Sequence, residues 1–122
     1  MSPLEDPLDR DTLRVLENDV GPAVLQTLIK VFLDEIEVTT KRAKLYISTN
    51  DHAKLEVDIH GLKSASLTLG APRLSEMCLA LEVAATMADK GSYLSLFLAL
   101  RQECLITQEA LSAYIYEIEN GR

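Results

Sequence analysis

A chain of 122 residues, 48% hydrophobic and 25% charged, has material for one core and not for two. The net charge of -7 repels a nucleic-acid backbone and an anionic membrane surface alike, which argues against both as partners. With only five Gly, four Pro and no low-complexity tract or internal repeat, the sequence also excludes an extended disordered chain.

The N-terminal Met-Ser-Pro-Leu-Glu-Asp carries no basic region followed by an apolar stretch, and no apolar run reaches the roughly 18 residues of a membrane span. A cytoplasmic chain is expected. Apolar spacings of three and four recur from Leu13 to Ile118 without strand-like alternation, so the class is all-α. Asp9 caps a short first helix over about 9–19, and Gly21-Pro22 breaks it and starts a second, Pro being tolerated in the first helical turn. That second helix, about 22–47, buries a stripe that includes Leu25, Leu28, Ile29, Phe32 and Ile36. Its basic cluster Lys41, Arg42 and Lys44 lacks interleaved aromatics and reads as a solvated face.

Ser48-Thr49-Asn50-Asp51 turns the chain into a third helix, about 51–69, closed by Gly70. His52 is expected to be exposed in its first turn. Pro72 opens a fourth helix, about 72–89, and Lys90-Gly91-Ser92 ends it and caps a fifth over about 92–119. Cys78 and Cys104 fall on apolar faces and read as reduced core thiols. Short connections favour antiparallel neighbours, which predicts an up-down-up-down four-helix bundle with the short N-terminal helix as a lid.

The chemistry concentrates on the third helix. Leu55, Ile59, Leu62, Ser66 and Leu69 define its buried stripe, and at about 100° per residue His60 lies roughly 140° from the stripe's centre. The imidazole therefore faces water. Lys63 stands one turn on, where an ammonium can offset negative charge arriving on the ring. Ser64 and Ser66 are small and leave room for another protein to approach. A carboxylate beside the ring would keep one nitrogen protonated and leave the other nucleophilic, and Glu82 and Glu56 are both candidates. No cluster has metal-ligand spacing, and no Gly-rich phosphate loop or paired catalytic motif is present.

The run His60-Gly61-Leu62-Lys63-Ser64-Ala65-Ser66-Leu67-Thr68-Leu69-Gly70-Ala71, continuing through Leu74, Cys78, Leu81 and Glu82, resembles the signature of histidine phosphotransfer (HPt) domains. Helix number and order extend the likeness over nearly the whole chain, with Ser64 standing where that family more often has Gly. The layout resembles stand-alone bacterial phosphorelay proteins. The resemblance implies that His60 is phosphorylated, that Lys63 supports the phosphoryl group, and that Glu82 lies near the ring. It implies a carrier rather than an enzyme, shuttling phosphoryl groups between receiver-domain aspartates or from a hybrid sensor histidine kinase to a response regulator. A monomer without its own cofactor is expected, magnesium being supplied by the receiver. Direct phosphorylation by a kinase catalytic domain, and a phosphorylation-independent adaptor or kinase regulator, are the alternatives.

Overall fold

A computed structural model describes residues 6–121; the first five residues, part of the segment behind the cytoplasmic expectation, lie outside them. Five α-helices follow in chain order: α1 (Arg10–Val20), α2 (Pro22–Ser48), α3 (His52–Thr68), α4 (Pro72–Thr86) and α5 (Lys90–Glu119). The chain is all-helical among the described residues, and none of the helices is long and apolar enough to cross a membrane.

Local chemistry explains the helix ends. The Asp9 carboxylate accepts from Thr12 N–H at the start of α1, and Asp51 does the same for Lys54 N–H at the start of α3, each occupying an orphan donor. Pro22 and Pro72 open α2 and α4, where a missing N–H costs nothing. Two ends depart from the sequence reading. α4 stops at Thr86 because Met87 caps it and Ala88 turns left-handed at φ 52°. α5 then begins at Lys90, ahead of Ser92, whose hydroxyl donates to the Asp89 carboxylate at 2.7 Å.

α2 packs on α3 and α5, α3 on α4, and α4 on α5, so the four long helices close a ring, with α1 laid against α2. Ile29, Phe32, Leu55, Leu81, Leu100 and Leu111 are among the fully buried side chains that fill it. Leu28, expected on the α2 stripe, is instead about one-third exposed at its edge, and the interior extends round to Thr39 and Thr40. Thr40 is accommodated because its hydroxyl donates to the Ile36 carbonyl at 2.8 Å, satisfying a polar group inside the bundle. Cys78 and Cys104 are buried free thiols; burial pushes the Cys78 pKa up and that of Cys104 up to about 12, so both stay protonated.

His52 corrects another expectation. It is half-buried and its Nδ1 lies 2.6 Å from the Tyr93 hydroxyl, tying the start of α3 to the start of α5. The end of α3 is tied to α1 in turn. Gly70 carries φ 70°, its carbonyl accepts from Asp9 N–H at 2.8 Å, and a Cβ there would stand 2.9 Å from the Asp9 carbonyl oxygen. Only glycine offers both the left-handed backbone and the space.

Candidate functional site

The α3–α4 contact brings the chemically capable residues together. Leu55, Ile59 and Leu62 turn one face of α3 inward, which leaves His60 on the outer flank with 59% of its side chain exposed. On α4, Leu81 and Cys78 are buried, and the following Glu82 leans into the seam between the two helices, its side chain only 15% exposed. From there one carboxylate serves two donors: Oε2 lies 2.7 Å from His60 Nδ1, and Oε1 lies 2.7 Å from Lys63 Nζ.

This arrangement sets the protonation of the ring. Burial acts to raise the Glu82 pKa, but the hydrogen bonds from Lys63 and His60, with their charges, outweigh it and hold the carboxyl below its ordinary range. An ionised carboxylate only accepts, so Nδ1 must donate, and the neutral imidazole keeps its proton there. Nε2 is left with a free lone pair, and it has no hydrogen-bond partner among the described residues. The exposed ring therefore offers one oriented, unprotonated nitrogen to an incoming electrophile.

The remaining sequence candidates separate. Glu56 does not hold the imidazole; its carboxylate accepts from the Thr86 hydroxyl. The same hydroxyl lies 3.0 Å from the Glu82 backbone carbonyl, its one proton shared between the two acceptors, so it links Glu56 to the turn that carries Glu82. Thr86 was not anticipated from the sequence, although it stands one helical turn beyond Glu82. Ser64 is exposed on the same flank as His60. Ser66 is not: it is fully buried and donates to the Leu62 carbonyl at 2.7 Å, so it cannot shape an approach from outside. Its place on the apolar stripe at i+4 from Leu62 already carried that outcome.

Lys63 is half-buried along its stem, with its ammonium held by Glu82 one turn from the His60 ring. Gly61 follows His60 directly, and a Cβ built there meets nothing within 4 Å, so the surface beside the ring is open. A shallow hollow lined by Glu56, Val57, His60 and Glu82 completes the site. Among the described residues no group of His, Cys, Asp or Glu is arranged to hold a metal ion.

Comparison with curated protein sequences returned no match. The fold is shared with histidine-containing phosphotransfer protein B from Pseudomonas aeruginosa, at TM-score 0.87 and 20% identity over 96% of this chain and 98% of that one. A histidine-containing phosphotransfer protein from maize superposes with TM-score 0.82 at 16% identity, covering 95% of this chain and 87% of that one. One from rice, described as putative, gives 0.81 at 14%, covering 93% and 83%. The model of the Hpt domain family matches residues 27–119, a span that holds His60, Lys63 and Glu82, and the chain belongs to that family.

Proposed function

We propose that His60 is the phosphoacceptor of a two-component phosphorelay, taking a phosphoryl group from one receiver-domain aspartate and passing it to another. The observation that carries this reading is the contact between Glu82 and Nδ1, which leaves Nε2 nucleophilic on an exposed ring. In the forward step Nε2 attacks the phosphorus of an aspartyl phosphate. The P–N bond forms as the P–O bond to the aspartate breaks, and the aspartate leaves as a carboxylate. The Nδ1 proton stays where it is, and Glu82 offsets the positive charge that grows on the ring. Lys63, one turn away, supports the arriving phosphoryl oxygens. Ser64 and Gly61 leave the flank low enough for the receiver backbone to come close.

The chain acts as a carrier without turnover of its own, the receiver supplies magnesium, and no cofactor resides on this chain. The donors and acceptors are hybrid sensor histidine kinases and response-regulator receiver domains, met in the cytoplasm by a monomer. Residues 1–122 form a single domain, its four long helices running up-down-up-down as antiparallel neighbours with α1 as a lid. The geometry supports a phosphohistidine that persists between transfers, since an open flank with one lysine does not orient water for hydrolysis.

The test is to incubate the protein with a phosphorylated receiver and follow acid-labile, base-stable label. Wild type takes up label and His60→Gln takes up none. Label retained by the variant would overturn the assignment, and wild type that binds the receiver without acquiring label would identify an adaptor instead.

A further inference from the structure

On the side of the ring opposite the α3–α4 seam, α2 and α5 enclose an apolar groove of about 600 Å³. Leu94, Phe97, Leu98 and Leu105 of α5 form most of its floor. Leu94, Leu98 and Leu105 are 68%, 58% and 58% exposed at spacings of four and seven, so one face of a long helix presents a continuous leucine stripe to water. The histidine site uses none of these residues.

Charge distinguishes the possible occupants. Lys44 and Arg101 line the groove, which has no carboxylate among its lining residues, in a chain whose net charge is -7. Neither cation has an ion-pair partner among the described residues, whereas Arg42, two residues before Lys44, lies 3.6 Å from Asp58. A second copy seated on the same face would bring the same two cations of each copy into one interface, and like charges there oppose association. An acidic segment would pair with them.

We propose that this groove docks an amphipathic acidic helix of a partner protein, with leucine-like anchors at i, i+3 and i+7 on the stripe and Glu or Asp against Lys44 and Arg101. Because the α2–α5 edge lies across the ring from α3–α4, such a helix and a protein docked at His60 occupy the molecule together. The groove is thus a tethering site that raises the local concentration of a partner without covering the imidazole.

The test uses a fluorescent helical peptide with Leu at i, i+3 and i+7 flanked by Glu, and the same peptide with Lys in place of Glu. Polarisation should show wild type binding the Glu peptide and not the Lys peptide. Lys44→Glu with Arg101→Glu should weaken the Glu peptide by about tenfold, as expected of two exposed ion pairs, and reverse the preference. Leu98→Glu should abolish binding of the Glu peptide. Circular dichroism and label acceptance from a phosphorylated receiver should be unchanged in these variants, which separates a lost groove from a lost fold. Equal affinity for the two peptides, or no binding of either by wild type, overturns the proposal. Self-association in sedimentation that Leu98→Glu removes, without Glu-peptide binding, also overturns it and identifies a second copy as the occupant.

Discussion

At the residue scale, Glu82 is held by two donors that want the same charge state. In Glu82→Gln the amide oxygen can accept from Lys63 while the amide NH2 donates to His60 Nδ1, which moves the ring proton to Nε2 and removes the nucleophilic lone pair there. The variant is expected to accept phosphoryl groups about tenfold more slowly, equivalent to about 1.4 kcal/mol in the barrier, measured by rapid quench against a phosphorylated receiver. The same residue predicts a pH dependence. Its folded pKa lies below the ordinary value of 4.5, so its contribution to stability is present above that value and disappears as pH falls through the folded pKa. Urea unfolding between pH 7 and pH 3 should therefore show the gap between wild type and Glu82→Gln closing in acid; a gap that widens there would contradict the geometry.

At the element scale, α3 and the turn that follows it hold two glycines with opposite demands. Gly61 sits mid-helix with open space at its Cβ, so Gly61→Ala should stabilise the fold by about 0.5–1 kcal/mol, seen as a higher melting temperature. The added methyl stands beside His60, and slower transfer in this more stable variant would show that the flank is kept low for docking. Gly70 follows the end of α3 at φ 70°, against the Asp9 carbonyl and the Leu13 side chain. Gly70→Ala should destabilise by about 1–3 kcal/mol and loosen α1, read as faster amide exchange over residues 10–20. Equal behaviour of the two variants would mean that the α1 anchor is not where the structure places it.

At the scale of the whole molecule, the interior is apolar except for a few polar side chains that differ in how they are satisfied. Thr40 donates within its own helix, while the Thr107 hydroxyl is fully buried with no hydrogen-bond partner among the described residues. Thr107→Val should raise stability by about 1–2 kcal/mol in denaturant unfolding, because it removes an unsatisfied hydroxyl at nearly constant volume. Thr40→Val gains no such benefit. Arg73 and Glu103, 3.0 Å apart, add a charged pair between α4 and α5.

The helical class, the helix order and the outward direction of His60 were legible along the chain because they follow from periodicity and capping, which are properties of neighbours in sequence. Leu28 marks the limit of that reading: a stripe drawn on one helix has no edges until the facing helices define them. The choice between Glu82 and Glu56 could not be made from spacing, since both are glutamates within reach of the same groove. Only the packing of α3 on α4 decided it, by the register that sets one carboxylate against Nδ1 and gives the other to Thr86. The same register holds Lys63 on Glu82, a contact across 19 residues that no local pattern encodes.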